Sequence, residues 1–296
     1  MGLSLCACLS AGAFGAPVFT PGAVPGEFRF DTGALRGVFR ENGASLGLNP
    51  AIHVKSGADL GKTPGLMNHY RVFTAAHRHG ESMRGVPSTV EVTAPDTLTV
   101  RWPSGEDRPF TLSAVYRWSA PDTLDVETTV DAGETLPDFE VFLSSYFSPL
   151  FPETRVWAKA PEGPPQFISA GVGEGTWQMF PRNPAALALI QDGRWKIEPS
   201  PVDWAIRPEF AAPLLYRRDK ATGLAAVIMA RPGDCFAVST PCADEAHFSM
   251  YLSLFGRTLE KGETARAHAR LVIAPLNEEE IVARYREFEA TFKNAE

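Results

Sequence analysis

The sequence predicts an all-β protein, a large antiparallel β-sandwich with a single α-helix at its C-terminus. Three observations carry that reading. Apolar and polar residues alternate with period two in segment after segment, which puts one face of each segment in a core and the other outside. Pro and Gly, 25 of each, are scattered between those segments, as many turns between short strands require. Only the stretch after Asn277 repeats its apolar residues at helical spacing. The 296 residues suit one large sandwich, since single all-β domains of about 200–250 residues are common. Residues 17–276 are read as that domain, residues 1–16 as a leader, and residues 277–296 as a helix packed on the sandwich.

The elements follow in order. Strands are expected at Glu27–Asp31, Leu35–Arg40 and 51–55, with Asn42-Gly43 as a tight turn because both residue types tolerate positive φ. The sequence Ala-Pro-Asp-Thr-Leu occurs at 94–98 and again at 120–124. In each copy Pro presets the first turn position and Asp suits the next, so each marks a hairpin, joining 89–93 to Thr97–Trp102 and 111–118 to 123–130. In residues 139–147, Phe139, Val141, Leu143 and Phe147 alternate with Glu140, Phe142, Ser144 and Tyr146. In residues 246–254, Phe248, Met250, Leu252 and Leu254 form an apolar face, while His247, Ser249, Tyr251 and Ser253 form a polar and aromatic one. Two such strands in one sheet make a concave floor of hydroxyls, carboxylate and rings. Residues 163–213 lose periodicity and carry Trp177, Trp195 and Trp204, as expected of long loops crossing one end of the sheets and bearing binding residues. At the end, Asn277 and Glu280 form a capping box, and Ile281, Tyr285, Phe288 and Phe292 make one helical stripe.

Composition narrows the function. A charged fraction of 21% and a formal net charge of −7 give neither a nucleic-acid footprint nor a polybasic membrane patch. No internal run reaches the roughly 18 apolar residues of a membrane span. The apolar, small-residue start reads as the distal half of a secretory signal, which places the protein in the periplasm or outside the cell. Cys235 and Cys242 bracket a short strand and turn, and are either a local disulfide or two thiols. Nucleophile-elbow, Walker and dinucleotide-binding patterns do not occur, so serine hydrolysis and nucleotide chemistry are unsupported and no cofactor is implied.

Candidate residues cluster in two places besides the organising strands. Asn68, His69, Tyr70 and Arg71 are the densest polar group. Strand alternation puts His69 with Arg71 on one face and Asn68 with Tyr70 on the other, and either pair hydrogen-bonds sugars well. His77 and His79 fall on one side of a strand, a legitimate chelate and the opening of a cupin-like pattern. Glu81 arrives too soon for that pattern, however, and no metal ligand is assigned. The two imidazoles are kept as sugar contacts.

On these residues the chain resembles the galactose mutarotase-like β-supersandwich, the fold of aldose epimerases and of domains in several polysaccharide lyases. Leu143-Ser144-Ser145-Tyr146-Phe147-Ser148 is similar to that family's Asn-His-Ser-Tyr-Phe-Asn strand, with Ser144 in place of its acid histidine. Leu259-Glu260-Lys261-Gly262-Glu263 is similar to its late Leu-x-Pro-Gly-Glu turn. Arg71, with His77 or His79, would stand for its early arginine and histidine. The resemblance implies a carbohydrate ligand and acid/base chemistry, for which His247, Glu140, His69 and Arg71 are the catalytic candidates. Asn68, Tyr70, His77, His79, Tyr146, Tyr251 and Trp177 are the binding candidates. A lyase of this fold would use a Tyr or His base with an Arg on the uronate carboxylate, which Tyr70, His69 and Arg71 match in type. A binding module without turnover and a cupin-like metalloprotein are the other expectations.

Overall fold

A computed structural model describes residues 18–40, 42–43, 46–75 and 77–293, so residues 1–16, expected as a leader, lie outside the described residues. In chain order, β1 (Phe19–Pro21), β2 (Glu27–Asp31), β3 (Leu35–Arg40) and β4 (Gly47–His53) form a four-stranded antiparallel meander. The third expected strand thus starts and ends earlier than 51–55. Next come β5 (Asn68–Thr74), β6 (His77–Arg78), β7 (Thr89–Ala94), β8 (Thr97–Trp102), β9 (Phe110–Ala120), β10 (Thr123–Ala132) and β11 (Leu136–Tyr146). They are followed by β12 (Glu153–Ala158), β13 (Gln166–Ser169), β14 (Trp177–Pro181), α1 (Pro184–Ile190), β15 (Trp204–Ile206) and β16 (Phe210–Arg218). The chain closes with β17 (Leu224–Ala230), β18 (Cys235–Pro241), β19 (Ser249–Leu259), β20 (Thr264–Pro275) and α2 (Glu278–Lys293).

Two large sheets are stacked. One has nine strands in the order β13-β12-β16-β17-β20-β10-β9-β8-β7, and the other seven in the order β15-β14-β18-β19-β11-β5-β6. The repeated Ala-Pro-Asp-Thr-Leu segments are the β7–β8 and β9–β10 turns. Between the sheets, Leu98, Trp102, Leu112, Tyr116, Trp118 and Val126 meet Val141, Leu143, Met250, Leu252 and Leu254. Each side chain of this kind contributes about 1.5–3 kcal/mol on burial, which makes this layer the main source of stability. The alternation in β11 and β19 is therefore read correctly from sequence: their apolar faces form this core.

The opposite face of each sheet is covered differently. On the nine-stranded sheet, Ile281, Tyr285 and Phe288 of α2 pack on Leu214, Tyr216, Val227, Met229 and Val272. The capping box is formed: Asn277 Oδ1 accepts from Glu280 N at 2.9 Å, and Glu280 Oε2 accepts from Asn277 N at 2.7 Å. On the seven-stranded sheet, Phe73, Phe142, Tyr146 and Tyr251 are covered by Met179, Ala186, Ile190 and Trp195. That cover is the segment expected to be loop. It holds two strands of the sheet, β14 and β15, and a second helix, α1, started by Asn183 Oδ1 accepting from Ala186 N at 2.9 Å. Seven residues are too few to show a helical period in sequence. Cys235 and Cys242 are buried free thiols. No helix among the described residues is long and apolar enough to cross a membrane.

Candidate functional site

A cleft of about 280 Å³ opens on the outer face of the seven-stranded sheet, between strands β5, β11 and β19 and the covering segment. Its floor is Tyr70, Arg71, Phe142, Tyr146 and Tyr251, and its walls include Trp177, Trp195, Trp204, His247 and residues 200–202. Tyr70 and Arg71 both reach it because β5 is bulged. Arg71 pairs with Phe142 and His69 with Leu143, so Tyr70 has no partner of its own and the alternation skips a residue. A regular strand would have sent one of the two into the core.

The rings form a continuous lining. Trp177 lies 5.1 Å from the His247 ring, Tyr146 6.1 Å from His247, and Trp195 5.2 Å from Trp204. Behind them runs a chain of hydroxyls. Tyr251 Oη donates to Tyr146 Oη at 3.5 Å and shares a hydrogen bond with Ser249 Oγ at 2.5 Å. With Ser249 donating to Tyr251, the proton of Tyr146 is left for the cleft. Burial raises the Tyr146 pKa to about 12 and that of Tyr251 well above the ordinary phenol value, so both are donors at neutral pH.

His247 stands on the short connection before β19. Glu245 Oε2 accepts from His247 N at 2.7 Å, and Glu245 Oε1 lies 2.6 Å from His247 Nδ1. The carboxylate accepts the Nδ1 proton and leaves Nε2 as the nitrogen with a lone pair, the arrangement of an oriented general base. Two cations hold this connection from behind. Lys62 Nζ donates to Ala246 O at 2.5 Å, and the buried Arg217 donates through Nε to Ser249 O at 3.2 Å. Burial lowers the Arg217 pKa to about 10, which still leaves it charged at neutral pH.

Arg71 is 5% exposed. Its Nη2 donates to Ser200 O at 3.0 Å, and its guanidinium carbon sits 5.1 Å from the Tyr70 ring centroid and 5.6 Å from that of Trp195. Its Nε has no hydrogen-bond partner, and among the described residues no carboxylate pairs with it. Arg78, on β6, donates to Pro199 O at 2.6 Å, so two arginines fix the wall at 199–200.

The structure therefore brings together Tyr70, Arg71, Tyr146, Tyr251, Trp177 and His247, and separates the other candidates from them. His69 points into the core between the sheets. Its Nδ1 is 3.0 Å from Tyr116 Oη and its Nε2 2.8 Å from Thr128 Oγ1, and burial lowers its pKa to about 3. The expectation that it shares a face with Arg71 fails at the bulge. Glu140 is on the cleft side of β11 but sealed under the covering segment, paired with Arg194 at 3.0 Å with both side chains fully buried. The pair ties β11 to the covering segment and lies outside the cleft lining. Asn68 is fully buried, with Nδ2 3.4 Å from Pro64 O. His77 and His79 lie at the β6 edge, with His77 near Asp107 and His79 between Thr74 and Asp107, outside the cleft. Sequence reasoning missed Glu245 and Ser249 as partners; the i, i+2 spacings to His247 and Tyr251 were the available signal. It also missed Trp195 and Trp204 as walls, although the tryptophan-rich segment was marked.

No protein-family profile matches the chain, and no curated protein matches it by sequence. Solved structures do. A heparan sulfate lyase HepC mutant from Pedobacter heparinus superposes with a TM-score of 0.52 at 8% identity, over 88% of this chain and 37% of the lyase. The likeness is one of fold, a large, mainly antiparallel β-sandwich. Further matches are a galactose 1-epimerase from Lactobacillus acidophilus (TM-score 0.49, 8% identity, 84% of this chain and 94% of that one) and an Escherichia coli K12 protein assigned as an aldose 1-epimerase (TM-score 0.49, 14% identity, 84% and 99%). At these identities the likeness concerns the fold alone.

Proposed function

We propose that the cleft binds an acidic sugar unit of an oligosaccharide and acts on it by general acid/base catalysis. The observation that carries this is Arg71, a buried cation facing an aromatic cleft with an unpartnered Nε and, among the described residues, no carboxylate beside it. A buried charge without a counter-ion is costly, and a ligand carboxylate supplies the missing partner in bidentate geometry. The tryptophans and tyrosines supply ring faces for the sugar, and the hydroxyl chain supplies oriented donors.

The reaction that uses every group is β-elimination on a uronate. Arg71 neutralises the carboxylate and stabilises charge developing at the adjacent carbon. His247 Nε2, with Nδ1–H held by Glu245, takes the proton from C5. The C4–O4 bond breaks as the C4–C5 double bond forms, and Tyr146 protonates the departing O4; the phenolate left behind accepts the Tyr251 hydrogen bond and is reprotonated from solvent as His247 releases the C5 proton. Among the described residues no carboxylate lines the cleft, so the Arg71 charge is open to a ligand carboxylate, which favours this over epimerisation of a neutral sugar. Export of the chain would give it access to extracellular polysaccharides.

The test is a screen of the purified protein against uronate-containing oligosaccharides and their carboxyl-reduced counterparts, reading thermal shift, ultraviolet absorbance of the unsaturated product, and mutarotation. A ligand at about 100 times its dissociation constant adds about 2.7 kcal/mol of stability. Stabilisation and unsaturated product from the uronates only, both lost in Arg71→Met, is the expected result. Binding without product reduces the cleft to a carbohydrate-binding module, whose aromatic lining suits that role. Mutarotation of neutral sugars would return the epimerase, and no response to any sugar overturns the proposal.

A further inference from the structure

His77 of β6 and His79 just after it do not line the cleft, and their surroundings fit another ligand. We infer that His77, His79 and Asp107 bind a divalent transition ion of the zinc type. One donor atom from each of the three lies within 4.8 Å of the others. Alternation along β6 puts both imidazoles on one side, while Arg78 between them turns to the opposite side and Pro199. Asp107 comes from the connection between β8 and β9, in the other large sheet.

The spacing suits an ion better than a direct contact. His77 Nε2 and Asp107 Oδ1 are 3.3 Å apart, long for a charge-assisted hydrogen bond of about 2.7–2.9 Å. Two ligands at bonds of about 2.05 Å around a tetrahedral ion stand about 3.3 Å apart. Two imidazoles and a carboxylate are the donors of zinc, nickel or cobalt; calcium and magnesium take oxygen sets.

One ring nitrogen of the third ligand faces a hydroxyl that serves either tautomer, and the other faces a main-chain oxygen that only accepts. Without an ion, His79 Nδ1 donates to Asp107 O at 2.6 Å and Nε2 lies 3.0 Å from Thr74 Oγ1, whose hydroxyl then donates. When the ion takes Nδ1, that proton leaves to water and Asp107 O must turn aside. Nε2 then carries the hydrogen and donates to Thr74 Oγ1, the outer hydrogen bond that metal-bound histidines commonly make. The His77 and Asp107 side chains are 54% and 55% exposed, so they adjust without disturbing the core and leave a side of the ion to water. A bound ion would staple a two-residue edge strand to the facing sheet.

The experiment is calorimetric titration of the untagged full chain with zinc chloride, with cobalt(II) absorption as a second readout. We expect saturable binding of one ion per chain and a raised melting temperature. His77→Ala and Asp107→Asn, both at exposed positions, should each weaken binding by about 10-fold or more. His247→Ala should leave it unchanged. Absence of saturable binding, equal binding by His77→Ala and Asp107→Asn, or loss on His247→Ala would each overturn the assignment.

Discussion

Replacing Arg194 with Met removes the cation that pairs with the fully buried Glu140 carboxylate 3.0 Å away. At an effective dielectric constant of about 20, the attraction at that distance is at most about 5–6 kcal/mol. Breaking a buried pair from one side costs about 3–5 kcal/mol, because the remaining charge is left uncompensated. Asp192, held by Arg194 Nε and Nη2 at 3.0 and 2.8 Å and only 22% exposed, loses the same partner and adds to the cost. At about 2–4 °C per kcal/mol for chains of this size class, the melting temperature should fall by about 6–20 °C. Urea unfolding followed by tryptophan fluorescence measures this directly. Glu140→Gln combined with Arg194→Met should recover part of the loss, since the fully buried carboxylate is then gone and only the partly exposed Asp192 stays unpaired. Burial already raises the Glu140 pKa while Arg194 pulls it down, and it rises further once Arg194 is gone. The folded state then binds that proton more tightly than the unfolded chain, so the Arg194→Met variant regains stability, relative to the double variant, as pH falls toward 4.5. A single-variant cost below about 1 kcal/mol, or a double variant no more stable than the single, would refute the view that this pair anchors the covering segment.

Two other histidines should give pH effects of opposite sign. His69 is neutral when folded, with its pKa lowered from 6.5 to about 3, so stability should fall by about 1.4 kcal/mol per pH unit as pH drops between those values. His69→Gln should flatten that slope in urea melts. The His268 pKa is raised, first by its hydrogen bond to Asp234 at 2.9 Å, so its contribution is complete below 6.5 and lost as pH rises through the folded value. Asp234→Asn should remove that alkaline loss, and a persisting loss would place its origin elsewhere. In the cleft, Tyr146→Phe should lower turnover by about 10²–10⁴-fold while leaving sugar-induced thermal stabilisation intact. Equal loss of binding and turnover would reassign Tyr146 to ligand affinity alone.

The parts of the fold that could be read from sequence are those where side-chain pattern and burial agree. In β11 and β19, Leu143 against Tyr146 and Leu252 against Tyr251 separate core from cleft without ambiguity, because each face has one chemical character. The capping box at Asn277 was legible because its two residues are local. The bulge at Tyr70 was not, since one extra residue leaves the composition of β5 unchanged and reveals itself only through its partner strand. That single step is why His69 was placed beside Arg71 and turned out to lie in the core. Glu140 looked like an acid because its partner, Arg194, is distant in sequence. The walls at Trp195 and Trp204 have no period, because side-chain contacts and arginine hydrogen bonds hold them where a long ladder does not.

The two arginines at the cleft wall grip main-chain oxygens: Arg71 holds Ser200 O and Arg78 holds Pro199 O. A tether of this kind is indifferent to the letters of the segment it holds. Ser200 and Pro201 line the cleft without a side chain in this fastening, whereas Val202 also packs on the aromatic cluster. Under the proposed carbohydrate role, ligand preference can therefore drift at 201 without loosening the wall, while Ser200, at a φ of 61°, is confined to residues that tolerate the left-handed region. Exchange of Arg71 or Arg78 would move the frame itself.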